Sequence, residues 1–177
     1  MKVRLIAGKF GGRIIDGSGT SRTHPMSERI RNAIFNKIGD EIQGARVLDA
    51  FAGSGAIGLE ALSRGAKSAV FVERDKIAQK IIEANIDLVG ADEQAKLVRA
   101  SVGKWLETYD GEPFDIIFAD PPYNALQLST VFELKRLLKH KGLMVLSYTG
   151  RGEVPTANGV VVVDNRSYGT AAIAYYR

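Results

Sequence analysis

From residue 46 onward, short apolar runs of strand length alternate with helical stretches, and this alternation constrains the fold more than any other feature of the chain. The runs at 46–51, 68–73, 96–99, 114–119 and 143–148 are expected strands. The segments at 55–64, 75–89, 102–109 and 126–139 are expected helices, the second with Ile77, Ile81 and Leu88 among its apolar positions. Strands separated by helices imply right-handed crossovers and a parallel sheet. The end of the chain breaks the rhythm. Apolar runs at 160–163 and 171–176 are joined by the polar stretch DNRSYGT, with no room for a helix, so they are expected to form an antiparallel hairpin. The expected fold class is α/β and doubly wound, with a mostly parallel sheet and an antiparallel end.

The first part of the chain has a different character. Residues 2–16 read as a hairpin, with a glycine-rich turn at 8–12 and a loop by composition at 16–22. Ser27 is placed to cap a helix reaching Ile38, with Ile30, Ile34, Phe35 and Ile38 on one face and Gly39 at its end. On that spacing Arg29 and Arg31 are expected on other faces. Residues 1–46 hold 9 Lys and Arg against 4 Asp and Glu, whereas the other 131 residues hold 15 against 16. All of the net +4 therefore comes from the first quarter of the chain, which suggests a polyanion-facing extension over 1–39 on a neutral unit over 40–177. With no Cys and 2 His, disulfides and thiolate metal sites are excluded and no metal is expected. No apolar run approaches the roughly 18 residues of a membrane span, and no leader pattern opens the chain, so a cytoplasmic protein without a membrane partner is expected.

Gly53-Ser54-Gly55-Ala56-Ile57-Gly58 follows the first parallel strand directly and opens a helix, and Glu73 ends the next strand. In that setting the loop reads as an adenosine-cofactor fingerprint. The glycines let backbone approach the ligand, and the acid accepts from ribose hydroxyls. Asp49 separates the cofactors. A dinucleotide sets a pyrophosphate at this helix N-terminus, and a neighbouring carboxylate repels it. S-adenosylmethionine instead brings a sulfonium and an ammonium, which a carboxylate favours. Asp49 is equally suited to bonding the N–H groups of the loop, and the two roles are compatible.

Asp120-Pro121-Pro122-Tyr123 comes right after the apolar run FDIIFA, where ligand chemistry gathers in sheets of this kind. Two prolines fix φ and remove two N–H donors, leaving a stiff segment with free carbonyls. The segment thus offers acceptors, the Asp120 side chain and a backbone carbonyl, beside an aromatic ring. That set suits an exocyclic base amine, whose lone pair is delocalised into its ring. Two acceptors on its N–H bonds favour a pyramidal nitrogen with its lone pair free, while Tyr123 offers a stacking face for a flipped-out base.

DAFAGSGAIGLEALSRGA followed by DPPY resembles the class I S-adenosylmethionine-dependent methyltransferases that act on amino nitrogens. With RLIAGKFGGRII, PMSERIRNAIFNKI and the closing YGTAAIAYY, the resemblance covers the whole chain and narrows to the RsmD family of bacteria. This resemblance implies a Rossmann-like methyltransferase sheet and transfer to the N2 of a guanine in 16S ribosomal RNA, naked or in an assembled small subunit, by a monomer. It further implies that Asp49, Phe51, Gly53, Ser54 and Gly55 line the methionine end of the cofactor and that Glu73 holds its ribose. Asp120, Pro121, Pro122 and Tyr123 are then the amine-binding segment, and Arg4, Lys9, Arg13, Arg29 and Arg31 lie on the RNA-facing extension. The chain departs from the family pattern in having His24-Pro25-Met26 for Arg-Pro-Thr. It also has Ala100-Ser101-Val102 where an Asp or Asn usually meets the adenine, leaving either Ser101 to serve through its hydroxyl or the backbone alone to meet the adenine. Two other readings stay open on the residues alone: transfer to adenine N6 or a protein glutamine, and a cofactor- and RNA-binding module without turnover. Trp105 and Leu106 are expected in the core, His140 near a helix end at the surface, and Tyr168 beside the substrate cleft or in the core.

Overall fold

A computed structural model of the chain describes residues 1–17, 26–122, 125–150 and 152–177. The chain opens with β1 (Lys2–Arg4) and β2 (Ile14–Asp16), antiparallel and in register at Val3 and Ile15. Next comes α1 (Glu28–Ile38), where the Ser27 side chain accepts from the Ile30 N–H and Gly39 (φ 57°) ends the helix as expected. The alternating part then runs β3 (Arg46–Ala50), α2 (Ala56–Ser63), β4 (Ser68–Glu73), α3 (Lys76–Val89), β5 (Ala95–Arg99), α4 (Val102–Thr108), β6 (Phe114–Ala119), α5 (Leu128–Leu134) and β7 (Leu138–Thr149). It closes with β8 (Val162–Tyr168) and β9 (Ala171–Tyr176).

The main sheet has seven strands in the order β5-β4-β3-β6-β7-β9-β8. Strands β3 to β7 are parallel, and β9 runs antiparallel to β7 and β8. The strand order reverses direction between β3 and β6, so a crevice opens at their carboxyl ends, where such sheets bind ligands. Two apolar clusters cover the sheet. One joins Val47, Phe71, Phe118 and Tyr175 to α1, α2 and α3; the other joins Leu48, Val72, Ile117 and Tyr176 to Trp105, Leu106 and Leu134. Trp105 thus lies in the core, its ring tilted against that of Tyr109 at 4.5 Å. Val3, Leu5, Phe10 and Ile15 of the N-terminal hairpin belong to the first cluster. Among the described residues, no helix is long and apolar enough to cross a membrane.

Three elements differ from expectation. In α3 the sheet-facing stripe is Ala78, Ile82, Ile86 and Val89, whereas Ile77 and Leu88 are 60% and 55% exposed. Both stripes have helical spacing, so periodicity alone does not choose between them. The segment expected as one helix at 126–139 is α5 plus a 3-10 turn, and β7 begins at Leu138. Its pairing with β6 jumps from Phe114 opposite Leu138 to Ile116 opposite Leu143, with Lys141 at φ 64° in the irregularity. A bulge therefore occupies the stretch whose lysines resemble a helix terminus, and His140 is exposed on a strand rather than at a helix end. Finally, the polar residues Asp164 to Tyr168 are strand, not turn. β8 is the edge of the sheet, where polar side chains keep a face in water.

Candidate active site

The glycine loop leaves β3 through a backbone that few residues tolerate. Phe51 is left-handed at φ 58°, an uncommon state for an aromatic residue and one that marks functional loops. Gly53 (φ 60°) follows, and a Cβ there would meet no atom within 4 Å, so the loop backbone is open at this point. Gly58 answers a different demand. A Cβ on it would lie 2.3 Å from the Phe71 ring, so α2 rests on β4 only because this residue has none. Ser54 accepts at Oγ from the Ala56 N–H (3.3 Å), and its carbonyl accepts from Asn85 Nδ2 (2.9 Å).

Three acids reach this crevice. Asp49 is 1% exposed and accepts at Oδ2 from the Gly58 N–H, 2.9 Å away. Burial pushes its carboxyl well above the usual range, and the carboxylates of Asp120 and Glu73 push it further, against the pull of the Gly58 N–H. Glu73 accepts from the Gly53 N–H (2.8 Å) and the Asp75 N–H (2.9 Å), tying the loop to the end of β4. Asp120 is half-buried just beyond β6. Burial raises its carboxyl to about 6, and a hydrogen bond from the Ser147 hydroxyl restrains the rise.

Register explains the convergence. Asp49 pairs with Phe71 on one side and Phe118 on the other. Two residues further along, Glu73 and Asp120 share one row and the same face as Asp49, because side chains alternate with a period of two. Glu73 and Asp120 are then two strands apart, about 10 Å between backbones. Pro121 is buried and Pro122 half-buried beside Asp120, so the acceptor segment is anchored. Tyr123 lies outside the described residues, as do His24 and Pro25. Ser101 ends the loop after β5, where its Oγ accepts from the Lys104 N–H (3.2 Å) and caps α4.

Among the described residues, the extension carries its basic side chains at the surface with one exception. Arg4 pairs with Glu28, Lys9 Nζ donates to Gln94 Oε1 (2.7 Å), Arg13 Nη1 donates to the Leu88 carbonyl (3.1 Å), and all of these cations are exposed. Exposed Arg29 lies over the half-buried Tyr168 ring at 5.9 Å. Arg31, expected on the RNA-facing surface, is instead 1% exposed. It pairs with Glu60 (3.2 Å) and donates to the Arg4 carbonyl (2.9 Å), so it has no surface to offer a phosphate. The spacing 31, 34, 35, 38 already puts it on the apolar face of α1.

Sequence reasoning missed Glu60, Asn85 and Ser147. Buried Glu60 accepts from the N–H groups of Ile6 (2.8 Å) and Ala7 (3.1 Å) while pairing with Arg31 and Arg64. Asn85 accepts from the Asp16 N–H (3.0 Å) and donates to the carbonyls of Asp16 and Ser54 (2.9 Å each), joining β2 to the glycine loop. The available signal was a polar residue at a buried position of an apolar stripe.

Residues 3–177 match the profile of a family described as conserved hypothetical protein 95. The Bacillus subtilis protein YlbH, described as an rRNA methyltransferase, is 32% identical over 99% of this chain and 98% of its own. The ribosomal RNA small subunit methyltransferase D of Haemophilus influenzae is 36% identical over 70% of this chain and 65% of its own. Among solved structures, the Escherichia coli protein yhhF, described as a methyltransferase, superposes with a TM-score of 0.85 at 30% identity, covering 99% of this chain and 97% of that one. With a profile match from residue 3 to its last residue and a relative aligned over 99% of its length, the chain belongs to this conserved family, the RsmD family of methyltransferases.

Proposed function

We propose that the chain transfers the methyl group of S-adenosylmethionine to the exocyclic N2 of a guanine in small-subunit ribosomal RNA. The observation that carries this reading is the trio Asp49, Glu73 and Asp120 on one face of the crevice, facing a glycine loop with open backbone at Gly53. Such a site repels a pyrophosphate and attracts a cation, so it fits a sulfonium and an ammonium. Asp49, Phe51, Gly53, Ser54 and Gly55 hold the methionine end, and Glu73 takes the ribose hydroxyls with the carboxylate that also bonds the Gly53 N–H. Ser101 borders the adenine. When bound, S-adenosylmethionine supplies a methyl group on a positively charged sulfur that leaves neutral.

The work of the chain is placement. The Asp120 carboxylate and the Pro121 carbonyl accept the two N–H bonds of the guanine amine and turn its lone pair outward. Pro122 keeps the segment stiff, and Tyr123 stacks on the base. Family membership and the names of the relatives support ribosomal RNA as the substrate, and the resemblance to RsmD supports guanine N2. Exposed Arg4, Lys9, Arg13 and Arg29 make the extension over 1–39 the RNA-facing part, with residues 40–177 as the catalytic unit. The protein acts as a monomer in the cytoplasm.

The test is nucleoside mass spectrometry after incubation with labelled S-adenosylmethionine, using unmodified small subunits and naked RNA in parallel. Labelled N2-methylguanosine is expected, and the better substrate identifies the physiological one. Labelled N6-methyladenine would keep the chemistry and overturn the base. No label on either RNA would overturn the reaction.

A further inference from the structure

Ser147 is a buried hydroxyl that follows the apolar run Leu143-Met144-Val145-Leu146 of β7, and it is 2% exposed. Burying a hydroxyl is costly unless it is hydrogen-bonded, so a serine here calls for a polar partner. Strand register supplies one. Ala119 of β6 pairs with Leu146 of β7, so Asp120 and Ser147 follow side by side on adjacent parallel strands, roughly 5 Å apart along the hydrogen-bonding direction. Both continue the face of Phe118 and Val145, which is also the face of Asp49. This adjacency sets the Ser147 hydroxyl beside the Asp120 carboxyl, where it opposes the rise that burial imposes on that acid.

We propose that Ser147 is a positioning residue for the methyl transfer proposed above: from the neighbouring strand its hydroxyl orients the Asp120 carboxylate and keeps it an acceptor toward the substrate amine. The inference rests on that reaction for its purpose. A hydroxyl can donate to one carboxylate oxygen, leaving the other to accept from the amine. It also opposes protonation, and a protonated Asp120 would present a donor where the amine needs an acceptor.

The surroundings make this help necessary. From β3, Asp49 shares the face of Asp120, whose charge raises the Asp49 carboxyl, and Glu73 stands beyond it on β4. Of the cations on the helices packed on this face, Arg31 and Arg64 pair with Glu60, Lys37 pairs with Asp164, Arg29 lies over Tyr168, and Lys76 and Lys80 of α3 are exposed. From β7, Tyr148 points to the other face and bonds Asn165.

The test uses the full chain and two readouts. Carbon-13 NMR of the Asp120 carboxyl, without substrate, follows its titration in the wild type and in Ser147→Ala, Ser147→Cys and Ser147→Thr. Single-turnover rates at saturating S-adenosylmethionine follow the acidic limb of transfer in the same proteins. The wild-type midpoint is expected near 6. Ser147→Ala is expected to move the midpoint and the acidic limb up together by about one pH unit, a roughly ten-fold loss of rate below the limb. Its affinity for S-adenosylmethionine stays within about two-fold, because the hydroxyl acts through Asp120 in this role. Threonine keeps the hydroxyl and restores both; cysteine, a weak donor of similar size, falls between. An unmoved midpoint in Ser147→Ala overturns the proposal, even if the rate falls. A midpoint that moves while the rate limb stays overturns the catalytic role. A wild type that transfers to no RNA defeats the reaction itself, and the NMR titration then reports the serine–aspartate pair separately.

Discussion

Asp120 shows most directly how function and stability oppose each other at a single residue. Its carboxyl is raised from the ordinary 3.8 to about 6, chiefly by burial. Between those values the folded protein holds a proton that the unfolded chain has lost. The contribution of Asp120 to stability is therefore full below about 4 and is lost as pH rises through 6, leaving the ionised group destabilising by up to about 3 kcal/mol at neutral pH. Acceptor function runs the other way and is gained as pH rises through 6. Asp120→Asn should accordingly raise the melting temperature at pH 7.5 and slow methyl transfer at least ten-fold, since an amide offers one acceptor oxygen for the carboxylate's two, with S-adenosylmethionine binding retained; calorimetry and a labelled-methyl assay on one preparation check both. Arg31 offers the contrasting case. Arg31→Ala leaves Glu60 buried with half its charge partners gone, and a loss of roughly 3–5 kcal/mol is expected in urea unfolding. Asp120 was legible because a rare tetrapeptide announces it. Arg31 was misassigned because its charge was counted before its helical position was weighed.

At the scale of elements, α2 is the piece on which the site depends. It begins at the glycine loop, receives Asp49 at the Gly58 N–H, and lies against Phe71 of β4 without room for a methyl group at Gly58. Gly58→Ala is expected to push α2 off the sheet, costing about 1–3 kcal/mol by overpacking and weakening S-adenosylmethionine binding at least ten-fold. Isothermal titration and thermal melts report the two effects. A fall in stability with unchanged affinity would mean that the loop is held independently of the helix. Element identity was readable wherever one period dominated, as in β3, β4 and β6. It failed where two solutions compete, in the paired stripes of α3 and the bulged start of β7, because packing and pairing decide between them.

Across the whole molecule, the N-terminal hairpin is held by α2 and α3. Glu60 of α2 and Asn85 of α3 bond its backbone, and its apolar side chains share a core cluster with both helices. The basic surface is thereby fixed relative to the glycine loop, through Asn85 and the Ser54 carbonyl. Replacing Arg4, Arg13 and Arg29 together should flatten the salt dependence of RNA binding by about 0.7–0.9 log unit for each phosphate left without its cation. Filter binding between low and moderate salt measures the slope. The same measurement on an Arg31 variant that remains folded should show the wild-type slope, since that guanidinium is enclosed.

Alternation of period, a glycine loop after a strand, an acid at the end of the next strand and a double proline after another are local patterns, and they determined the fold class and the candidate residues of the crevice. Each is written within a few residues, where backbone geometry and side-chain chemistry act directly. What the tertiary structure decided was long-range: which stripe of α3 meets the sheet, that Arg31 is enclosed rather than offered, and that Ser147 stands beside Asp120. Those outcomes depend on strand order and register between segments far apart in the chain, and burial, which sets the charge state of Asp49 and Asp120, exists only once the layers have closed over them.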